Sequence, residues 1–274
     1  MHPSHTVLPP RLAAVIAACC LALTPLTLAA QPANENDAWL AQTAKLYYSS
    51  AQAGLKGFDC TVRPDWRALY TTNGGGTLSA DNEQRVALLN RVGITLHARM
   101  KGGSTMDWNT PAPLDNEQSK LLGQMHDALD QTLVEGFMQF WTPFIENSVV
   151  PDSSSGLEMM TTSDGGKKIH LAQTGIELNE TFDSGRVLRQ YNIVMNGTRI
   201  DLTPTYAPST RGLIISHFHA FIHPAGEQTG PTQEMNVELQ YETVDGFPLP
   251  THFVMEVTGV ATIHFALEGC KVQR

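Results

Sequence analysis

Cationic side chains are scarce in this chain. Lysine and arginine number 18 against 27 aspartate and glutamate, a net charge of -9. Such a surface repels the phosphates of nucleic acid and of anionic lipid headgroups, and no basic run overrides it. Nucleic acid is therefore excluded as an expected partner. Charged residues make up 16% of the chain and hydrophobic ones 42%, a balance foreign to both disordered and membrane-spanning chains. Catalytic signatures are missing as well. No H-E-x-x-H, G-x-S-x-G, C-x-x-C, P-loop or G-x-G-x-x-G spacing occurs. "SDGGKK", Ser163–Lys168, lacks phosphate-loop spacing and reads as a hairpin turn. "PDSSSG" offers serines without a base at motif spacing, and no pair of carboxylates stands out as acid and base. The expectation is a protein that is not an enzyme and carries no cofactor.

Cysteine is scarcer still, with four in 274 residues. Two of them, Cys19 and Cys20, lie in an opening segment unlike the rest. "MHPSHTVLPPR" carries one basic residue, Arg11, and "LAAVIAACCLALTPLTLAA" carries no charge at all. An apolar stretch ending in small residues reads as a signal peptide over residues 1–30, with cleavage after Ala29 or Ala30 leaving Gln31 first. "IAAC", Ile16–Cys19, resembles a lipobox and offers lipid anchoring through Cys19 as the minor alternative. Most of the apolar run follows that cysteine instead of preceding it. Loss of Arg11 leaves 17 basic against 27 acidic residues in the exported chain, or -10. The expected location is therefore periplasmic or secreted.

Two cysteines then remain, Cys60 and Cys270, and an oxidising compartment pairs them. Closing so long a loop stabilises by up to about 5 kcal/mol in the chain-entropy view. Two buried free thiols are the alternative. Parity raises a difficulty: Cys60 alternates in phase with Phe58 and Val62, whereas Cys270 is out of phase with Phe265 and Leu267. The bond needs a bulge, and Gly269 is the natural place for it.

Periodicity organises the remainder, residues 31–274, as one domain. "NENDAWLAQTAKLYYSSAQAGL" places Leu40, Ala44, Tyr47, Ala51 and Leu55 on one helical stripe. "KGFDCTV" alternates as a strand ended by Pro64, "TTNGGGTLSADNEQ" reads as a loop, and "ITLHARMKGGSTMDW" reads as a hairpin with a glycine turn. A longer helix is expected over Asn116–Trp141. Leu122, Met125, Leu129, Leu133, Phe137 and Phe140 form its apolar stripe, and Pro143 limits its extent. From Gly156 onward the period is two. Met235, Val237, Leu239 and Tyr241 alternate with polar residues, and Phe253, Met255, Val257, Ile263, Phe265 and Leu267 continue the pattern. One-sided alternation without βαβ units predicts an α+β fold: a large, curved antiparallel sheet whose apolar face is covered by two helices.

"SHFHAFIH" raises the question of a metal. His217 and His219 lie two apart, so their Cα atoms stand about 6.7 Å apart on one face, an arrangement able to supply two zinc ligands. His223 is four residues beyond His219, too far along to complete that site. His170, His252 and His264 alternate out of phase with the large apolar residues, which puts them on a solvated face. The favoured reading of all these histidines is a wet sheet face, with a metal-dependent enzyme at His217 and His219 as the alternative.

"ELQYETVDGFPLPTHFVMEVTGVATIHFALEGCKV" resembles the closing hairpins of the bacterial lipoprotein-carrier superfamily. There a strand leads into a turn with an x-D-G-x-x-x-P pattern, here Asp245, Gly246 and Pro250, followed by two more strands. "MDWNTP", Met106–Pro111, is similar to that family's tryptophan-x-x-proline neighbourhood, although the preceding "KGGST" lacks the family's arginine. The resemblance implies a half-barrel whose concave apolar face is closed by helices, with acyl chains of a lipid or lipoprotein held between. Phe58, Val62, Met125, Leu129, Leu133 and Phe137 would line that cavity from the first strand and the lid. Met235, Val237, Leu239, Tyr241, Phe253, Met255 and Phe265 would line it from the later strands. Envelope transport proteins would be its partners and a monomer its form. A ligand-free envelope sensor or scaffold of the same fold is the further alternative.

Overall fold

The computed structural model describes residues 35–72, 77–101, 103–146, 149–195, 197–223 and 232–274. The expected signal peptide, its cleavage point and Cys19 lie outside the described residues. Among them, six α-helices run Glu35–Ala44 (α1), Ser50–Ala53 (α2), Trp66–Thr72 (α3), Ala80–Leu89 (α4), Asn116–Leu129 (α5) and Gln139–Glu146 (α6). A π-helix, Asp130–Met138, joins α5 to α6. The strands are Gly57–Pro64 (β1), Gly93–Arg99 (β2), Thr105–Asn109 (β3), Glu158–Thr161 (β4), Lys167–Gln173 (β5) and Ile176–Phe182 (β6). They continue with Leu188–Met195 (β7), Thr198–Ser209 (β8), Gly212–His223 (β9), Gln233–Val244 (β10), Phe247–Val257 (β11) and Ala261–Gln273 (β12). These make a 12-stranded sheet in the order β3-β2-β1-β12-β11-β10-β9-β8-β7-β6-β5-β4. The expected antiparallel sheet with helices is thus present. The chain divides into two compact units.

The first unit holds Ser50–Thr142 and Glu238–Arg274. β1 is its centre, paired antiparallel with β2 on one side and with β12 on the other. The two cysteines are bonded, Cys60 to Cys270. The parity conflict is resolved as the sequence requires: the β1–β12 register slips between Asp59, opposite Lys271, and Thr61, opposite Glu268. Gly269 sits in that bulge at φ +59°, a left-handed angle that glycine adopts without strain. Between β10 and β11, Asp245 and Gly246 both take positive φ (51° and 84°), which matches the right-handed twist of a tight hairpin.

Two expectations are corrected in this unit. The stretch read as a loop contains a helix, α4, from Ala80 onward. Ser79 caps it by accepting from the Asn82 amide at 3.2 Å. Asp81 and Glu83 stand in its first turn, where the helix dipole favours acids, and Arg67 of α3 clasps Glu83 at 3.0 and 2.6 Å. The long helix, expected to stop near Trp141, is instead an α–π–α run that continues through position 143 to Glu146. Proline in a helix removes one amide donor, and here that loss is tolerated.

The second unit holds residues 35–49, Pro143–Val237 and therefore β4 to β9. Its strands β4 through β8 each pair antiparallel with the next. The first helix is shorter than its apolar stripe suggested, a third correction. α1 ends at Ala44, after which the backbone of Leu46, Tyr47 and Tyr48 docks on Leu213 of β9. Leu213 N donates to Leu46 O at 2.7 Å, and Tyr48 N donates to Leu213 O at 2.9 Å. Gly212 permits that approach, since a Cβ there would lie 2.9 Å from Leu46 O. Extended pairing by two aromatic residues outweighs continuation of the helix.

Candidate functional site

The helix of the first unit is fixed at its start by a reciprocal cap. Asp115 Oδ1 accepts from the Gln118 amide at 2.8 Å, and Gln118 Oε1 accepts from the Asp115 amide at 3.3 Å. From there its apolar stripe, Leu122, Leu129, Leu133 and Phe137, is buried as expected. Trp141, four residues after Phe137, continues the buried stripe with no exposed surface, as i, i+4 spacing allows.

Phe253 of β11 and Phe265 of β12 face each other in register, their rings stacked at 4.7 Å. Phe137 stacks on Phe253 at 4.2 Å, and Trp141 lies over Phe137 at 6.0 Å. Trp141 also meets Phe58 of β1 edge-on at 6.1 Å. Its indole Nε1 donates to the Tyr241 hydroxyl at 2.8 Å, satisfying the one polar atom it buries. Four sequence-selected residues, Phe58, Phe137, Phe253 and Phe265, are thus joined in one aromatic layer between helix and sheet. Tyr241 is attached to it through Trp141. Val62, Leu129, Leu133, Leu239 and Met255 are buried in the same unit, and Met125 is half-buried on α5. Met235 and Val237 are buried in the part of β10 that belongs to the second unit. Trp141 was not among the expected lining residues: the expected stripe ends on Phe140, three after Phe137, although i, i+4 spacing leads equally to Trp141.

The histidines of β9 lie on the wet face. Ile214, Phe218, Ala220 and Ile222 are buried, whereas His217, His219 and His223 are partly exposed and Phe221 more so. A register slip opposite Thr205 and Tyr206 lets Ile214 and Ile215 both turn inward. Glu234 accepts from His219 Nε2 at 2.8 Å, and Asp201 accepts from His223 Nε2 at 3.1 Å. Among the described residues no group of three or more His, Cys, Asp or Glu is arranged to hold a metal ion. The wet face of the first unit carries a comparable network. His97 Nδ1 reaches Asp59 Oδ1 at 2.7 Å and Nε2 reaches Asp107 Oδ2 at 3.0 Å. Hydrogen bonds to Asp59 and Asp107 favour the imidazolium and hold the His97 pKa above its ordinary value. Burial pushes Asp59 up, but bonds from His97, Gln273 and Arg99 outweigh it, and its pKa lies below the usual carboxylate range.

One group in the second unit was missed. Ile176, Leu178, Glu180 and Phe182 share the inner face of β6, and Glu180 is only 3% exposed. A carboxylate in phase with three apolar residues was the signal in the sequence. Burial alone pushes its pKa from about 4.5 to about 8.

The chain matches no protein-family model and no curated protein.

Proposed function

We propose that this protein is an exported, non-enzymatic carrier of the cell envelope. It binds acyl chains of a lipid or lipoprotein beneath the α5–π–α6 helix of the first unit. The observation that carries this reading is the aromatic layer between that helix and β1, β11 and β12, described by the contacts of Phe137, Trp141, Phe253 and Phe265. Nine residues of the covering helix have π geometry, whose hydrogen bonds are poorer than those of an α-helix, and such segments recur at functional sites. A cover of that kind is easier to lift than a regular helix.

Energetics favour the exchange. Each methylene removed from water contributes about 0.8 kcal/mol, so a chain of a dozen supplies roughly 10 kcal/mol before ordering costs. Each ring contact given up on opening is worth about 0.5–1.5 kcal/mol beyond its area. The Cys60–Cys270 bond agrees with an oxidising compartment, and no helix among the described residues is long and apolar enough to cross a membrane. The resemblance to lipoprotein carriers supports the same cargo, with envelope transport proteins as donors and acceptors.

A ligand-free scaffold is the second reading, favoured by the fact that the rings fill the space between helix and sheet with their own contacts. Lipid extraction and mass spectrometry of protein purified from its native envelope separates the two. Co-purifying acyl lipid in near-stoichiometric amount is expected. Protein that yields no lipid and takes up no fluorescent fatty acid would establish the scaffold instead.

A further inference from the structure

Glu180 lies between Ile169 of β5 and Tyr191 of β7, its partners in register. Two helices cover its surroundings: Trp39 of α1 meets Phe182 edge-on at 5.5 Å, and Phe144 of α6 meets Tyr191 at 5.6 Å. Within this apolar setting Oε2 of Glu180 has no hydrogen-bond partner. The polar groups nearby are committed elsewhere. Lys167, opposite Phe182, directs its ammonium to Asn36 Oδ1 at 3.2 Å and Thr161 Oγ1 at 3.4 Å. The Tyr47 hydroxyl donates to Arg186 O and accepts from the Leu188 amide. Asp183 accepts from Arg189 and from the Val187 amide.

A buried carboxyl oxygen without a partner costs free energy that a leucine or methionine of similar size would not. Among the described residues no cation bonds to it as a carboxylate, and burial favours the uncharged acid, which has a proton to donate. The matching ligand atom is therefore an acceptor. An ammonium would bring a second charge into the same apolar space, where desolvation of both ions opposes binding.

We propose that the inner face of the second unit around Glu180 binds an apolar molecule carrying an uncharged ester carbonyl, with the Glu180 carboxyl donating to that oxygen. This site stands on its own observation and is separate from the helix-covered layer of the first unit.

Paired probes test it on the full exported chain: a pyrene-labelled fatty acyl methyl ester and a pyrene-labelled alkane of equal length, titrated by fluorescence. Wild type binds the ester about tenfold more tightly, the worth of one buried hydrogen bond. Glu180→Gln, whose amide still donates, keeps that preference. Glu180→Met loses it, with alkane affinity unchanged. A wild type without ester preference, or a Glu180→Met variant that retains it, overturns the proposal and leaves the carboxyl as a structural or water-bound group. The carbonyl stretch of a 13C-labelled ester bound to wild type needs no variant. A shift below the free-ester frequency is expected, and an unshifted band overturns the assignment. Leu129→Glu, which disables the first-unit site, removes binding of both probes there but leaves the ester-over-alkane preference intact. Loss of that preference in Leu129→Glu would move the ester contact to the first unit and end this reading alone.

Discussion

Replacing Glu180 by glutamine should make the protein more stable, and increasingly so as pH rises. In the folded state burial raises the carboxyl from about 4.5 to about 8. Below about pH 4.5 both folded and unfolded chains hold the proton, and the residue adds no pH dependence. Between about 4.5 and 8 the unfolded chain ionises while the folded one stays protonated. The unfolded state then binds fewer protons, so stability falls with rising pH. Near pH 8 the loss levels off. The span is about 3.5 pH units, and at about 1.4 kcal/mol each the ceiling is about 5 kcal/mol. Relaxation and water entry reduce this, so about 2–4 kcal/mol is expected. Tyr47, whose pKa burial holds well above its ordinary value, does not titrate in this window. Asp183 is held below the usual carboxylate range: burial raises it, but bonds from the Val187 amide and Arg189 outweigh that, so it titrates at lower pH. The assay is denaturant unfolding of wild type and Glu180→Gln at pH 5, 6, 7 and 8. A stability difference that stays constant across that range would refute the reasoning, since it would mean that the wild-type carboxyl is ionised when folded.

Leu129→Glu puts a charge on the buried stripe of the helix proposed as a lid. It should fold with near-normal far-UV circular dichroism yet lose uptake of a fluorescent fatty acid, and uptake equal to wild type would rule out the lid. Leu133, fully buried, should cost about 2–5 kcal/mol on truncation to alanine, measured by urea unfolding. Labelling of denatured, unreduced protein should detect no free thiol at Cys60 or Cys270. Replacing both cysteines by serine should lower stability by about 2–5 kcal/mol, with two labelled thiols in the wild type as the contrary result. His97 should titrate by NMR above its ordinary value near 6.5, because the carboxylates of Asp59 and Asp107 favour its charged form. The stability it contributes is complete below that value and is lost as pH rises through the raised one. Asp59→Asn should bring its midpoint down, and an unchanged midpoint would show that the pair contributes nothing.

Legibility in the sequence followed the range of the forces involved. The strands and their faces were readable, because alternation is local and burial follows it: Met235, Val237 and Leu239 turned inward as a set. The bulge at Gly269 was readable too, since two parities could be reconciled in one place only. Trp141 was readable by i, i+4 spacing from Phe137 but was passed over, because both i+3 and i+4 steps carry an aromatic residue, Phe140 and Trp141, and spacing alone does not choose between them. The break after Ala44 escaped for another reason. It depends on Leu213, more than 160 residues away, offering its backbone to Tyr47 and Tyr48. Glu180 could have been found by parity alone, but only its burial without a partner gives that position chemical meaning.

The pairing of β1 with β12 also fixes an order of events during synthesis. Cys60 and Cys270 are 210 positions apart, so their bond can close only after every intervening strand has been made. β1, among the first strands to emerge, must wait beside β2 with its other edge open until the last strand arrives. Contacts this distant in sequence slow folding, and an open edge invites pairing with other chains. Until that last strand arrives, the newly made protein depends on whatever shields the open edge of β1.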